Sequence, residues 1–242
     1  MGQKDELSKP QNKTRRPKRL YPPSVMVFRS FLFLSILVFA ISWFIGTVVV
    51  SRANWRGPAP AAAKSSARAI LRRLARGEGD TMQKIFPEGR LFSHSFFGFS
   101  LVNMALNETP NSEFTRTAIR EIEKLLTAID GMVDKDPFSA CKDITPRGGI
   151  IIAGQANLLR AGYLLIGGRK KSIAERFHKE SQIIYDAFMK ISVGSLESYP
   201  QLVWPVDNIC ALDSLRLHAV LVACLYGRIR PGFYENAICS LP

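Results

Sequence analysis

The sequence predicts an all-α protein in which an N-terminal single transmembrane helix is followed by a helical domain that forms an incomplete α/α toroid. Three observations support this fold class. Residues 30–51 are uncharged over a length that can cross a bilayer. No alternation of period two extends over a useful length, so strands are not expected. Further along, helices that are apolar on most faces alternate with helices that have one polar face.

The net positive charge of the chain comes entirely from its first third, because the charges of the remaining residues balance. The formal net charge is +13. Residues 1–76 contain fifteen Lys and Arg but only two acidic residues, whereas residues 77–242 contain eighteen of each sign. A nucleic-acid-binding protein needs a basic face on its folded domain, so this distribution argues against a nucleic-acid partner. Charge beside an apolar segment instead fits anionic lipid headgroups.

Residues 1–29 are basic and contain proline, which is typical of a disordered tail. The 22 residues from Ser30 to Ser51 then carry no charge, and a helix of that length reaches about 33 Å, against about 30 Å for a hydrocarbon core. The run is too long for a signal peptide, whose apolar region has about 7–15 residues. We therefore predict a transmembrane helix over residues 30–51, with the lipid bilayer as its partner.

Basic residues flank the predicted span unequally. Six lie shortly before it and four shortly after it, namely Lys13, Arg15, Arg16, Lys18, Arg19 and Arg29, then Arg52, Arg56, Lys64 and Arg68. By the positive-inside rule this excess predicts a cytoplasmic N-terminus and a periplasmic C-terminal domain, in a bacterial inner membrane.

Residues 52–66 are rich in proline and alanine and are typical of a linker, and residues 67–242 are the predicted helical domain. The basic, amphipathic residues 67–76 fit either a helix along the headgroups or the first helix of the domain. The later helices are of two kinds. Those near 90–107, 150–166 and 207–226 are apolar on most faces, and those near 113–129 and 172–191 have one polar face, with Ser112 and Ser172 as predicted N-caps.

Alternating buried and half-buried helices are what two concentric rings of helices produce, whereas each helix of a plain bundle keeps a polar stripe. Only five or six helices are counted, which is too few to close a ring. The chain is therefore expected to be a truncated product, a fragment, or part of a barrel that self-association or a partner chain completes. A small complete bundle remains the alternative. An isolated part of a ring would expose apolar surface.

The segment from Tyr199 to Asn208 contains two prolines and two large aromatic residues before an apolar helix. In a toroid such a loop borders the central cavity, so Tyr199, Trp204 and Asn208 are predicted to bind a ligand. Asp207 is a candidate catalytic acid, because a carboxyl among aromatic side chains has a raised pKa. The alternative is that Asp207 is the N-cap of its helix.

Glu88 and His94 form a second candidate group, at the start of the first apolar helix. Glu88 is a candidate acid or base opposite Asp207, since two carboxyls across a cavity are the arrangement that hydrolyses glycosides. Its alternative role is a favourable charge at a helix N-terminus. His94 is a candidate catalytic residue, with a hydrogen-bonded core histidine as the alternative.

Polar residues inside apolar helices need partners, so Gln155 and Asn157 are also predicted to face the cavity and bind the ligand. The four cysteines match no ligand spacing such as C-x2-C, and no metal or cofactor is predicted. Cys239 with either Cys141 or Cys210 is the only disulfide pairing considered.

Two stretches, MQKIFPEGRLFSHSFFGFSLVN (82–103) and YPQLVWPVDN (199–208), resemble segments of bacterial membrane-anchored proteins in the α/α-barrel group that includes linalool dehydratase/isomerase. The resemblance covers about residues 77–226. It implies cofactor-independent acid/base lyase chemistry on a small terpene alcohol, using cysteine, histidine and acidic residues. Glu88, His94 and Asp207 fit those roles, but Cys141 and Cys210 do not match the family's surroundings.

Two functional hypotheses follow. In the first, a membrane-anchored helical domain binds or acts on a glycan or a hydrophobic small molecule in a toroid cavity. In the second, the domain is a non-catalytic anchored scaffold, or a remnant of a larger α/α barrel, and its apolar face pairs with another chain.

Overall fold

The computed structural model describes residues 31–44, 57–192 and 194–225. The chain divides into two units, Met1–Trp55 and Arg56–Pro242. In the first unit, residues 31–44 are helical and their side chains are exposed. Among the described residues, no helix has the length and apolar character needed to span a membrane. The predicted tail, Ser30 and residues 45–51 of the predicted span lie outside the described residues.

The described part of the second unit is helical and contains no strand, which confirms the all-α class. Seven α-helices follow in order, with one 3-10 turn at Phe138–Cys141 between the fourth and the fifth. They are α1 Ala61–Ala75, α2 Glu78–Ile85, α3 Gly89–Leu106, α4 Glu113–Asp130, α5 Gly149–Leu165, α6 Lys171–Lys190 and α7 Pro205–Leu225.

Helix α1 is the first helix of the domain. It begins at Ala61, so residues 61–66 of the predicted linker are helical. Alanine is the best helix former, which explains why a run without hydrophobic periodicity still folds. The helix packs against α2 and α3, and Lys64 Nζ lies 2.7 Å from the Glu108 carboxylate just after α3.

Helices α3, α5 and α7 lie parallel, side by side, with α5 in the middle. Ser95 pairs with Gln155, and about one turn further along each helix Gly98 packs against Leu159, so α3 and α5 run in the same direction. Gly154 of α5 packs against the first turns of α7. A Cβ atom there would lie 3.0 Å from the Asp207 carbonyl oxygen, so glycine permits this close approach.

Helices α4 and α6 form a second layer and run antiparallel to the first. Asp130, at the end of α4, pairs with Arg160 of α5. Asn157 Nδ2 donates to Ser181 Oγ of α6, in the other layer, at 2.9 Å and to Ser214 Oγ of α7, in its own layer, at 3.2 Å. Nearly every residue of α5 is consequently buried.

The end helices of the first layer are less buried than their sequences predict. Phe96 on α3 is 53% exposed, and Val206, Ile209 and Leu212 on α7 are 61%, 57% and 50% exposed. These side chains are exposed because α3 and α7 lie at the edges of the layer, whereas α5 has a neighbouring helix on each side.

The N-cap residue expected from the sequence is correct for α4 and wrong for α6 and α7. The Thr115 N–H donates to Ser112 Oγ at 3.1 Å, which confirms this N-cap. Ser172 is not a cap, because α6 begins at Lys171. Asp207 is not the N-cap of α7 either, because that helix begins at Pro205 and places Asp207 in its first turn.

Candidate functional site

The loop of residues 196–204 packs across the N-terminus of α5. The Ile150 N–H donates to the Glu197 carbonyl at 2.9 Å, and the Cys141 thiol lies 3.6 Å from the Ser198 carbonyl oxygen. Gly149 has φ of +76°, and a Cβ atom on it would lie 2.1 Å from the Ser198 oxygen. Only glycine satisfies both the backbone angle and the contact. The loop is thus held against the helix through its backbone.

A tight turn and one amide side chain shape this loop. The Leu202 carbonyl accepts from the Ser198 and Tyr199 N–H groups at 2.8 and 3.2 Å. Asn208 accepts from the Leu196 N–H at 2.7 Å and donates to the carbonyls of Leu196 and Trp204 at 3.0 and 3.1 Å. The side chain of Asn208, a predicted ligand-binding residue, is therefore bonded to the backbone of the loop.

Two carboxyl groups accept hydrogen bonds from hydroxyls of the same loop. Ser198 Oγ donates to Asp207 Oδ2 at 2.7 Å, and the Tyr199 hydroxyl donates to Glu88 Oε1 at 2.7 Å. Asp207 is 1% exposed and Glu88 9%. Glu88 occupies the N-cap position of α3 without capping it through its side chain. The loop thus brings together the two predicted acidic residues. We call Glu88, Ser198, Tyr199 and Asp207 the carboxyl cluster.

Burial raises the pKa of three groups in or beside the carboxyl cluster and so favours their neutral forms. It raises the pKa of Asp207, an effect that the nearby Glu88 charge reinforces and the Ser198 hydrogen bond opposes. Burial, the hydrogen bond to Glu88 and its charge raise the pKa of Tyr199 far above the usual range. Burial also raises the pKa of the Cys141 thiol. Tyr199 and Cys141 are therefore protonated at neutral pH, and the cluster contains hydroxyl donors but no thiolate from Cys141.

An aromatic side chain lies at the surface beside the carboxyl cluster. The Trp204 ring meets the Tyr199 ring edge-on at a centroid distance of 5.6 Å. On its other side Tyr199 stacks with Phe138 at 6.1 Å. Trp204 is 37% exposed, and its neighbours Leu202 and Val203 are exposed as well. The site therefore pairs an accessible apolar wall with buried polar groups.

His94 lies apart from the carboxyl cluster. Its Nδ1 is 2.7 Å from the Arg90 carbonyl oxygen, and its ring packs against Gly79 of α2. Burial lowers its pKa. These contacts are those of a hydrogen-bonded core histidine, which was the alternative role considered for this residue.

Gln155 and Asn157 also bond within the core. Gln155 accepts from Ser95 of α3, and Asn157 donates to the two serines of α6 and α7 described above. The Oδ1 atom of Asn157 is buried and has no hydrogen-bond partner among the described residues. Both amides thus join helices through hydrogen bonds to serines, rather than to Glu88 or Asp207.

The structure adds residues to the site that the sequence did not indicate. Ser198 belongs to no pattern that spacing along the chain would mark. Phe138 and Cys141 lie in a polar loop, where no helical periodicity predicts burial. The signal in that loop was the short apolar run FSAC, which forms the buried 3-10 turn.

Two pockets are open elsewhere on the domain. One of about 290 Å³ is lined by residues of α1, α3 and α4, and one of about 480 Å³ by residues of α6, α7 and the end of α5. Neither is lined by Glu88 or Asp207. Over the part of the chain that the structure describes, no group of three His, Cys, Asp or Glu is placed to hold a metal ion. Cys141 and Cys210 are free thiols, and Cys239 lies outside the described residues.

Comparisons of the chain with protein-family models, with curated proteins and with solved structures find no match. The resemblance to the group of linalool dehydratase/isomerase therefore stays a prediction.

Proposed function

We propose that this chain is a single-pass membrane protein whose helical domain binds a hydrophobic small molecule or a glycan beside Trp204. The observation that carries the proposal is the exposed Trp204 ring, in contact with Tyr199, next to two buried carboxyls. Aromatic faces bind sugar rings and isoprenoid chains alike, and hydroxyl and carboxyl groups orient a polar end.

The anchoring segment of the proposal is residues 30–51. It is supported by the absence of charge over a length that fits a bilayer and by basic residues on both sides. The described residues 31–44 are helical. The excess of basic residues before the segment supports a cytoplasmic N-terminus and a periplasmic domain in a bacterial inner membrane.

We further propose that the domain is a section of an α/α toroid. The support is the order of its helices: α3, α5 and α7 run parallel in one layer, and α4 and α6 return antiparallel in the other. The N-termini of the three parallel helices converge on the loop of residues 196–204, which would border the cavity of a complete ring.

Binding is better supported than catalysis. Asp207 has the raised pKa of a general acid, as the implied lyase chemistry requires. However, both carboxyls already accept hydroxyl bonds and are buried under the loop. A reacting substrate would have to displace the hydroxyl of Ser198 or Tyr199, whereas a ligand on the Trp204 face need not.

The test uses Trp204 as its own reporter. The chain has three tryptophans, so Trp43→Phe with Trp55→Phe leaves Trp204 as the only one. In this background we expect a saturable change in Trp204 fluorescence with short isoprenoid alcohols or with oligosaccharides. Glu88→Gln and Asp207→Asn should weaken it about tenfold, because each weakens a hydrogen bond that holds the loop with Tyr199 and Trp204 in place.

Glu113→Gln is the matched control for these variants. It removes a carboxylate from the first turn of α4, outside the carboxyl cluster, and should leave binding unchanged. If Glu88→Gln and Asp207→Asn lower only the thermal stability and no probe alters Trp204 fluorescence, the two residues serve the fold alone and the binding proposal is wrong.

A second candidate function rests on a different observation. Val206, Ile209 and Leu212 lie along one exposed side of α7. An apolar helix face of this kind fits a non-catalytic scaffold that pairs with a second copy or with a partner chain completing the barrel.

A further inference from the structure

The pocket of about 480 Å³ lies at the end of α5 and α7 opposite the carboxyl cluster, beside the first half of α6. Its apolar wall comes from three helices and consists of Leu164, Ala174, Phe177, Leu221 and Val222. Phe177 and Leu221 are each 3% exposed, so the floor of the pocket is continuous with the core. Small-molecule sites have volumes of about 300–1,000 Å³, and this pocket lies in the lower half of that range.

The remaining side chains of the pocket lining are two cations, Arg169 and Lys171, and two histidines, His178 and His218. None of the lining residues is acidic. Lys171 has an acidic neighbour on the same helix, Glu175, whose carboxylate is 3.7 Å from Lys171 Nζ. An apolar pocket with a basic lining is complementary to a ligand that has an apolar body and an anionic end.

The two histidines form a linked pair. His178 Nδ1 lies 2.8 Å from His218 Nε2, and Phe177 holds the His218 ring edge-on at a centroid distance of 5.3 Å. One N–H group occupies the bond between the rings, which leaves the outer nitrogen of each ring for a ligand. With one additional proton the pair has three N–H groups, of which two are free to bind a carboxylate.

We propose that this pocket binds a single-chain fatty carboxylate. The acyl chain lies against the apolar wall, and the carboxylate accepts hydrogen bonds from the histidine pair and from Lys171. A pocket of this volume suits one chain better than the two chains of a diacyl lipid. The proposal does not depend on the Trp204 site, because the two sites lie at opposite ends of α7 and share no residue.

The test observes the three histidine rings of the full chain. The protein is labelled with [13Cε1]-histidine and placed in phosphatidylcholine nanodiscs, and laurate is added. We expect saturable shifts of the His178 and His218 signals. His94, on α3 and packed against α2, is an internal reference and should not shift. Dodecyltrimethylammonium, which has a chain of similar length and a cationic end, should shift none of the three.

Three variants test where the carboxylate of laurate binds. His178→Gln, observed through the His218 signal, should weaken laurate binding about tenfold, because it removes a charge-assisted hydrogen bond. Lys171→Gln should weaken it about threefold, as expected for an exposed charge. Lys179→Gln is the matched control: it neutralises an exposed lysine of the same helix outside the pocket and should change nothing. An unchanged His94 signal shows that each variant is folded.

Three results would overturn the proposal. One is the absence of any shift with laurate, and another is an equal shift of all three histidines. The third is an equal response to laurate and dodecyltrimethylammonium, which would show that the charge of the head does not matter.

Discussion

At the scale of single residues, the hydroxyls of Ser198 and Tyr199 determine what the two acidic residues do. An acidic residue at the start of a helix ordinarily binds the free N–H groups of that helix. Asp207 and Glu88 instead accept hydrogen bonds from the loop of residues 196–204. Their role is therefore to fasten the loop that carries Trp204 across two helices distant in sequence.

Gly149 is the residue at which this loop is most sensitive to substitution. Gly149→Ala should destabilise the domain by about 1–2 kcal/mol for the positive φ. The Cβ atom placed 2.1 Å from the Ser198 oxygen adds about 1–3 kcal/mol. Urea denaturation of the full chain in a mild detergent measures the sum.

Gly167→Ala is the control for the backbone term alone. Gly167 also has a positive φ, +92°, but no described atom lies within 4 Å of its Cβ position. Gly167→Ala should therefore lower the free energy of unfolding by only about 1–2 kcal/mol, the cost of the positive φ. Equal losses for the two variants would show that the loop can move away from Gly149 without cost.

At the scale of elements, a serine at the start of an amphipathic run caps the helix only if the helix begins directly after it. Ser112 and Ser172 each precede an amphipathic run, and the sequence favoured both as N-caps. Only Ser112 is one, because α6 begins one residue before Ser172 and so includes it in the first turn.

This difference predicts opposite outcomes for one kind of substitution. Ser112→Ala should lower the free energy of unfolding by about 1 kcal/mol, because the Thr115 N–H loses its acceptor. Ser172→Ala should leave it unchanged or raise it slightly, because alanine is the better helix former. Thermal unfolding followed by circular dichroism compares the two. A similar loss for both would mean that Ser172 also caps a helix.

At the scale of the whole molecule, α3 and α7 are the outer helices of their layer among the described residues. Helix α5 is enclosed by neighbours, whereas α3 and α7 each present apolar side chains outward. Burial of apolar surface contributes about 25 cal/mol per Å², so a second helical segment against α7 would be stabilised by this face.

The second candidate function therefore predicts association through α7. The full chain should sediment as a dimer or larger species in mild detergent, and Leu212→Glu should shift it toward the monomer. Met189→Glu, which places a charge on the exposed side of α6, is the control and should leave the size unchanged. A monomeric wild-type chain at every concentration would contradict the scaffold hypothesis.

Much of the fold was predictable because helical periodicity and capping are local. The N-cap of α4 at Ser112, the apolar character of α5 and the absence of strands among the described residues all follow from spacing along the chain. The start of α1 was not predictable from periodicity, since alanines favour a helix without marking a face.

The candidate site was predictable only in part. The sequence predicts Glu88 and Asp207 from their positions at helix starts, and Tyr199 and Trp204 as aromatic residues of the loop before α7. The structure brings these four residues together. His94 was chosen on the same grounds, but packs against α2. Nothing in the sequence indicates which way a side chain on an apolar helix points.

By itself the sequence determined the helical class, the order of apolar and amphipathic helices, and the two acidic helix starts, because these depend on neighbours within a few residues. Only the tertiary structure decided which polar groups meet. The bonds from Tyr199 to Glu88 and from His178 to His218 join residues that are 111 and 40 positions apart. Such contacts depend on how whole helices pack, and packing is set by the summed burial of many side chains rather than by any local pattern.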